Sequence, residues 1–306
     1  MPPSTTYRAF VDRFPRPPVV PDELLSAYLA RIGADAAPPS LSALNELHRA
    51  HQTAISHEST WIHLGDDWDT DPLAAIARFV HSGRGGYCYH LNGAFASLLR
   101  TLGYDVTMHL GAVHGPDGPT TGLGNHMVVQ VANLTDETNP SGRWHVDVGL
   151  GEGLLDPIPL VEGSCRQEPI GYELVRAPEN SPAEHGDWRL RIDHPHCNVE
   201  FVAFDSTPVA LDAFAPHHLE QSQAATSLFV SMLLVHRRDT AGVDSLIGLV
   251  LARIESDRTQ QVLDDRDDWF AALADVFGVS LPDVDAARRD ALWRKTLTAH
   301  EAWAKP

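Results

Sequence analysis

Cysteine is scarce in this chain of 306 residues, which holds only Cys88, Cys165 and Cys197. Three widely separated cysteines, an odd number, do not form a disulfide framework, and no Cys-x-x-Cys pair marks a metal site. Because disulfides are typical of oxidising compartments, this usage favours a reducing one, and we expect a cytoplasmic protein.

Long apolar runs and an excess of positive charge are also missing. Segment 1–18 lacks the apolar core of a secretory signal, and the apolar run 227–235 is too short to span a bilayer. Acidic residues number 41 against 23 lysines and arginines, which gives a formal net charge of −18. Nucleic acids and anionic membranes are bound by clustered cations, so this balance argues against both as partners. A small anionic molecule needs only a local site and is not excluded.

What the sequence does contain begins with helical periodicity. Apolar residues recur with the period of an α-helix in the segments 22–33, 41–55, 71–83 and 88–103. Ser40 and Asp71 can cap the second and third of these segments. Prolines are frequent before Asp22, so we expect an extended arm over 1–21, followed by a helical region over 22–103.

After Gly103 the apolar period changes to two, which is a strand signal. Alternation predicts strands at 104–113, 126–132, 144–148, 188–192 and 198–204. From Leu211 helical patterns return, a short mixed section follows, and 285–303 reads as an amphipathic C-terminal helix. The predicted fold class is α+β, with helices, then an antiparallel sheet, then a mixed C-terminal segment.

One of the three cysteines stands in RGGYCYHLNG, residues 84–93. The two glycines before it allow a tight turn into the following helix. Cys88 then lies in or next to the first helical turn, where free N–H groups and the positive end of the dipole favour a thiolate. A thiolate is a strong nucleophile when a base lies beside it and a third group orients that base. The spacing alone fits a buried structural cysteine equally well.

The base must be chosen among 17 histidines. His90 lies two residues from Cys88 on the same helix and therefore points away from it. His126 begins an apolar strand directly after a glycine-rich loop, a position from which a side chain can enter a cleft.

A carboxylate partner for His126 follows from strand pairing. If the strands at 126–132 and 144–148 are neighbours, His126 and Asp147 come close together. His145 and Asp147 could instead belong to a metal site, although no third ligand is evident.

Three motifs resemble those of the arylamine N-acetyltransferases, in the same order: RGGYCYHLN with its cysteine, HMVVQV with its histidine and HVDVGLG with its aspartate. The resemblance extends from AYLARIG at 27–33 to VFGVSL at 276–281. It implies the family's fold: a helical bundle over 22–103, an antiparallel β-barrel over 104–205, and an α/β lid with a C-terminal helix over 206–306. The centre would be a cysteine-protease-like Cys-His-Asp core.

The same resemblance implies a catalytic triad of Cys88, His126 and Asp147. Cys88 would take an acetyl or other acyl group from acyl-CoA, with acetyl-CoA as cosubstrate, and pass it to an arylamine or hydroxylamine in a ping-pong reaction. His126 would act as base and Asp147 would orient the imidazole. No bound cofactor or metal is implied.

Further residues are implied around this triad. An ion network of Arg31, Glu58 and Arg84 would support the cysteine loop. The implied substrate-binding residues are His57, Tyr87, Thr226 and Ser227.

The chain departs from the family's pattern in three places. Ser56-His57-Glu58-Ser59 stands where the family has Pro-Phe-Glu-Asn, His90 stands where bacterial members often carry glutamate, and AATSLF lacks a proline before its Thr-Ser pair. His57 thus replaces an aromatic ring of the acceptor pocket. An imidazole there predicts poor rates with plain anilines and better rates with acceptors that hydrogen-bond.

These departures leave a rival with the same fold, an amide synthase that closes a macrolactam from an acyl chain held on a carrier protein. Two further hypotheses are a cysteine hydrolase of the papain or transglutaminase kind and a binding protein without turnover. The expected partners are a small amine and acyl-CoA, with an acyl carrier protein for the rival, but neither nucleic acid nor membrane.

Overall fold

The computed structural model describes residues 16–116, 122–178 and 185–303. Most of the arm expected over 1–21 therefore lies outside the described residues. Its described end is packed against the body of the protein: Val20 is buried, its N–H donates to Thr101 Oγ1 at 2.9 Å, and Arg16 forms an ion pair with Asp105 at 3.0 Å.

The N-terminal region is mainly helical: α1 (Asp22–Ile32), α2 (Leu41–Ala54), α3 (Thr60–Leu64), α4 (Pro72–His81) and α5 (Cys88–Thr101). The predicted caps are confirmed, since Ser40 accepts from the Ala43 N–H at 3.2 Å and Asp71 accepts from the Leu73 N–H at 3.0 Å. Every residue of α5 from Cys88 to Leu99 is buried, which makes this helix the centre of the region.

An eight-stranded antiparallel sheet follows: β2 (Asp105–His114), β3 (His126–Ala132), β4 (Trp144–Val146), β5 (Ile158–Pro159), β6 (Gly163–Gln167), β7 (Ile170–Arg176), β8 (Trp188–Asp193) and β9 (Phe201–Val209). Their order in the sheet is β5-β4-β3-β2-β9-β8-β7-β6. Laid flat, eight strands would separate the edge strands by about 34 Å.

Yet the two edge strands, β5 and β6, are joined by only three residues, 160–162. A link of that length spans about 15 Å at most. The sheet must therefore curl back toward itself, so the predicted barrel is present as an antiparallel sheet whose edges approach without pairing.

A second sheet forms the C-terminal region. β10 (Leu234–Arg238), β11 (Val243–Ile247), β12 (Val250–Ile254) and β13 (Arg258–Val262) make an antiparallel meander, and a two-residue strand, β1 (His57–Glu58), adds to its edge beside β10. The helices of this region are α6 (Ala215–Gln223), α7 (Leu228–Ser231), α8 (Arg266–Asp275) and α9 (Ala286–Trp303).

β1 lies within the segment expected to be helical, and two residues are too few for an alternating pattern to be read. Because β1 pairs with β10, it connects the segment before Cys88 directly to the C-terminal sheet. The predicted strand 144–148 also ends early, at Val146, because the chain turns into a glycine-rich loop.

One apolar core joins α5 to the first sheet, since Cys88, Met127, Val129 and Val146 belong to the same buried cluster. This junction is where the predicted site residues meet. In the described ranges, no helix combines the length and the apolar character needed to cross a membrane.

Candidate active site

The turn before Cys88 is built by close backbone approach. Gly85 leaves no room for a Cβ, which would meet the carbonyl oxygen of Ser56, and Gly86 has a φ of 155°, which favours glycine. The Glu58 N–H donates to the Gly86 carbonyl at 2.9 Å, so β1 holds the turn. The Gly-Gly pair therefore delivers Cys88 to the first residue of α5, as the sequence predicts.

Arg84, at the start of this turn, is buried within a polar cluster. Its guanidinium lies 3.6 Å from Glu58 Oε1, donates to Thr60 Oγ1 at 3.0 Å, and reaches Asp283 at 3.4 Å and Asp66 at 3.9 Å. These contacts tie the cysteine turn to α3 and to the segment before α9.

Arg31 is not part of this cluster, contrary to the expected three-residue network. Within the described ranges no ion pair joins Arg31 to Glu58, whose closest cationic partner is Arg84. Arg31 lies in the last turn of α1 in a half-buried position, and burial together with the charge of Arg237 lowers its pKa. The network that the structure forms is Glu58–Arg84 with nearby aspartates.

Cys88, His126 and Asp147 form one chain of contacts. The Cys88 thiol lies within interaction range of the His126 ring, whose pKa it helps to raise, and the thiol donates to the Asn125 carbonyl at 3.8 Å. His126 Nε2 donates to Asp147 Oδ2 at 2.7 Å. The three residues are only 3%, 1% and 1% exposed, so the chain of contacts is shielded from water. With Nε2 engaged by Asp147, Nδ1 is the nitrogen that remains for the thiol.

Strand register explains how His126 and Asp147 meet. β3 and β4 pair antiparallel with Val129 opposite Val146. Continued by one residue, this register puts Asp147 opposite Val128, and His126 two residues further along the same face. The expectation that the two strands pair is confirmed.

The electrostatics of the pair are consistent with an ion pair. Burial acts to lower the pKa of His126, but the charge and hydrogen bond of Asp147, with the Cys88 contact, raise it to about 10. Burial acts to raise the pKa of Asp147, but the charge and hydrogen bond of His126, with help from Asn92, lower it to about 2. The imidazolium–carboxylate form is thus favoured across neutral pH.

Asn92 is a supporting residue that sequence reasoning missed. Its Nδ2 donates to Asp147 Oδ1 at 2.8 Å and to the Met127 carbonyl at 2.7 Å, and its Oδ1 accepts from the Val148 N–H at 2.9 Å. It stands four residues after Cys88 on α5, the spacing that puts both on one helix face, and this was the available signal. Asn92 thus fixes the histidine strand and the aspartate loop to the nucleophile's helix.

His48 on α2 is a second such residue. Its Nδ1 donates to the Leu155 carbonyl at 2.9 Å and its Nε2 accepts from the Asp147 N–H at 3.3 Å. Burial lowers the pKa of His48 to about 4, which keeps the ring neutral and able to make both bonds.

The loop after Asp147 passes directly over the nucleophile. A Cβ placed on Gly149 would lie 2.9 Å from Cys88 Cα and 2.7 Å from Asn92 Nδ2. Only glycine fits this approach without displacement, so the GLG of HVDVGLG is a packing requirement.

The expected substrate-binding residues lie in different surroundings. Tyr87 is fully buried, and its hydroxyl is hydrogen-bonded to the His218 ring of α6. Ser227 caps α7 and donates to the Gln221 carbonyl at 2.6 Å, while Thr226 is exposed beside it. His57 lies at the edge of the triad region. A substrate contact by any of the four remains a prediction.

The remaining two cysteines have different environments. Cys165 is exposed on β6, and Cys197 is half-buried with its pKa raised to about 12 by burial and by Glu152. Cys165 lines a surface groove of about 790 Å³ that contains none of the triad residues. Cys88 is the cysteine that interacts with the His126–Asp147 pair.

The alternative metal pair, His145 and Asp147, has its side chains engaged elsewhere. His145 stacks on Phe204 with ring centroids 4.8 Å apart, and the Asp147 carboxylate is taken up by His126, Asn92 and the Gly149 N–H. Across the described ranges, no group of three histidine, cysteine or carboxylate side chains is arranged to hold a metal ion.

Comparison with known proteins gives a consistent picture. The model of a family described as N-acetyltransferase matches residues 40–286. The chain is 31% identical over 185 residues to the arylamine N-acetyltransferase of Escherichia coli, a match that covers 60% of this chain and 61% of that enzyme, less than two thirds of its length. It is 35% identical over 158 residues to proansamycin X synthase of Amycolatopsis mediterranei, covering 49% of this chain and 58% of that protein.

Among solved structures, the chain is similar to the arylamine N-acetyltransferase of Mycobacterium marinum in complex with CoA. The TM-score is 0.78 at 26% identity, over 90% of this chain and 99% of that one. The likeness thus covers the helical region, both sheets and the site between them.

Proposed function

Because the chain belongs to the N-acetyltransferase family, we propose that it moves an acetyl group from acetyl-CoA to an arylamine or hydroxylamine through a thioester on Cys88. The observation that carries this proposal is the buried chain of contacts from Cys88 through His126 to Asp147. Such an arrangement serves nucleophilic acyl transfer, because the base lies beside the thiol and the carboxylate orients the base.

In the first half-reaction His126 holds the proton of the Cys88 thiol as an imidazolium, and the thiolate sulfur attacks the carbonyl carbon of acetyl-CoA. The bond between that carbon and the CoA sulfur then breaks, and the CoA thiolate leaves with the proton from His126. The first N–H groups of a helix have no intrahelical partner, and those of Cys88 and Tyr89 at the start of α5 can stabilise the negative oxygen of the intermediate.

In the second half-reaction the amine nitrogen attacks the thioester carbon while His126 accepts a proton from that nitrogen. The carbon–sulfur bond breaks and Cys88 returns to its starting state. Water would end this cycle as hydrolysis, and the burial of all three triad residues supports transfer to an amine over hydrolysis.

Intact-mass measurement after mixing with acetyl-CoA tests the proposal directly. One acetyl group should appear on the wild-type protein and none on the Cys88→Ala protein, and addition of aniline or N-hydroxyaniline should remove it. A wild-type protein that gains no acetyl group would contradict acetyl transfer from CoA.

A second candidate is amide synthesis by ring closure of a longer acyl chain. It is favoured by the 35% identity to proansamycin X synthase, which is no lower than the identity to the E. coli acetyltransferase. The two candidates share the Cys88 thioester and differ in the acyl group. Loading of Cys88 by a long-chain acyl thioester, with none from acetyl-CoA, would select this second candidate.

A further inference from the structure

Two buried histidines stand beside the triad and take no part in it. His57 on β1 and His236 on β10 are directly opposite each other across the two strands, with ring centroids 5.9 Å apart. Each residue is 8% exposed. They reach this place from chain segments almost 180 residues apart.

His57 is held close to the nucleophile by the backbone. Its strand forms a parallel bridge to Gly86, two residues before Cys88. The charges of His126 and Asp147 both act on the His57 ring, so the ring is within electrostatic reach of the triad.

His236 on β10 is packed against the loop after β4, the same loop that passes over Cys88. A Cβ placed on Gly151 would lie 2.9 Å from His236 Cβ, just as one on Gly149 would lie 2.9 Å from Cys88 Cα. Two residues of extended chain span about 7 Å at most, so one short loop separates His236 from the nucleophile.

The ring nitrogens of this pair are not used by the part of the chain that the structure describes. His57 Nδ1 and both nitrogens of His236 are buried without a hydrogen-bond partner there. The nearest carboxylate, Glu152, lies 3.8 Å from His236 Nε2 and accepts two hydrogen bonds from Asn198. Three buried, unpaired polar nitrogens are costly, and a ligand that forms hydrogen bonds with them would remove that cost.

The chemistry of the pair defines this ligand. Burial and the charges of His236 and His126 lower the pKa of His57 to about 3, and burial lowers the pKa of His236, so both rings are neutral near pH 7. A neutral imidazole offers one donor and one acceptor, which suits a hydroxyl group. A carboxylate would instead face Glu152 in a protein of net charge −18.

Phe229 could also pack against an aromatic ring of a ligand bound at this place. Phe229 lies 5.9 Å from the His57 ring and 5.3 Å from the Tyr87 ring, between the histidine pair and the cysteine turn. We propose that His57 and His236 form a hydrogen-bonding wall of the acceptor pocket, which selects aromatic amines carrying a hydroxyl group. This inference rests on the proposed acyl transfer through Cys88.

The test compares two acceptors that differ in one hydrogen-bond donor. Aminophenol and methoxyaniline donate electrons to the ring similarly, but only aminophenol has an O–H group. The ratio of their kcat/KM values, measured for the 2-, 3- and 4-isomers, isolates the hydroxyl contact from amine reactivity. We expect wild type to favour one aminophenol isomer, and His57→Phe and His236→Phe each to lower that ratio about tenfold, the effect of one lost hydrogen bond.

Two further sets of variants separate this effect from general damage. His57→Gln and His236→Gln keep a donor and an acceptor and should retain most of the preference. His114→Phe is the matched control, because His114 is also buried with an unpaired Nδ1 but stacks on Phe201, 4.3 Å away, outside the site. Its ratio should equal that of wild type.

An unchanged ratio in both His57→Phe and His236→Phe, with Cys88 still acetylated by acetyl-CoA, would overturn the wall and leave the proposed function standing. If neither variant folds, the wild-type protein alone tests the proposal. A wild-type kcat/KM ratio of aminophenol to methoxyaniline near one for every isomer would contradict the hydrogen-bonding wall. Failure of wild-type Cys88 to accept an acetyl group removes the proposed function itself.

Discussion

The two sides of the active site differ in how their polar atoms are satisfied. On the triad side, His126, Asp147 and Asn92 bond one another and the backbone around them. On the opposite side, His57 and His236 leave buried nitrogens unpaired within the described ranges. A fully bonded group is held in one geometry, which suits chemistry that is the same for every substrate, whereas an unpaired group is available to recognise a particular one.

Two histidines show this contrast most clearly, because the pKa of one is raised and the pKa of the other is lowered. A carboxylate partner raises the pKa of His126 to about 10, and burial without such a partner lowers that of His57 to about 3. Burial is complete in both cases, so the neighbouring charge decides which form exists at neutral pH.

The largest expected effect comes from removing the nucleophile of the triad, Cys88. Cys88→Ala should abolish acyl transfer, because Cys88 is the cysteine that interacts with the His126–Asp147 pair, whereas Cys165→Ala and Cys197→Ala should retain activity. Iodoacetamide should likewise alkylate Cys88 fastest, because burial raises the pKa of the other two thiols and reduces their thiolate. Turnover assays and peptide mapping measure both. Appreciable acyl transfer by the Cys88→Ala protein would contradict the proposed thioester mechanism.

The next largest effect is expected from a substitution that removes only the group orienting His126. Asp147→Asn should lower kcat/KM by about 10⁴-fold while the protein remains folded, since the imidazole loses the partner that fixes its tautomer. Circular dichroism checks the fold. Activity should survive EDTA in the wild type, and a metal requirement would instead favour the His145–Asp147 metal site.

A smaller loss should follow when the support of that carboxylate is removed. Asn92→Ala eliminates bonds to Asp147 Oδ1, Met127 and Val148, and should lower kcat/KM by about 5- to 150-fold, the equivalent of about 1–3 kcal/mol. Ser97→Ala is the matched control, because this buried hydroxyl of the same helix bonds only the Gly93 carbonyl within α5. Equal losses in both variants would mean that Asn92 acts through helix stability alone.

The smallest effect is on stability and distinguishes the two histidine environments by pH. The folded-state pKa of His57, about 3, lies below its unfolded value of about 6.5, so the unfolded chain binds more protons as the pH falls through that range. Stability from such histidines is complete above about pH 6.5 and is lost toward acid pH. His126 behaves oppositely: its contribution is complete below about pH 6.5 and is lost as the pH rises through about 10.

Free energies of unfolding at pH 5, pH 7 and pH 9 measure this difference. Each buried neutral histidine contributes up to about 1.4 kcal/mol per pH unit, and His57→Phe should reduce the acid slope by up to that amount. His126→Phe should reduce the alkaline slope between pH 7 and pH 9. Identical slopes for wild type and His57→Phe would show that His57 is accessible to protons in the folded state.

Local patterns were sufficient for much of the fold. The helices around Ser40, Asp71 and Cys88, and the strands containing His126 and His145, could be predicted because caps and apolar periodicity act over a few residues. β1 and the early end of β4 could not, since a two-residue strand exists only through its partner β10, and β4 stops where its loop must pass over Cys88.

For the site, the sequence by itself determined the Gly-Gly turn into a helix at Cys88 and the order of the cysteine, histidine and aspartate motifs. Only the tertiary structure decided which charges meet: Arg84 and not Arg31 pairs with Glu58, Asn92 and His48 hold Asp147, and His236 comes to stand beside His57. Periodicity and capping are short-range effects that neighbouring residues express. Hydrogen bonds and charge pairs join residues distant in the chain, and they exist only after packing has fixed which segments are adjacent.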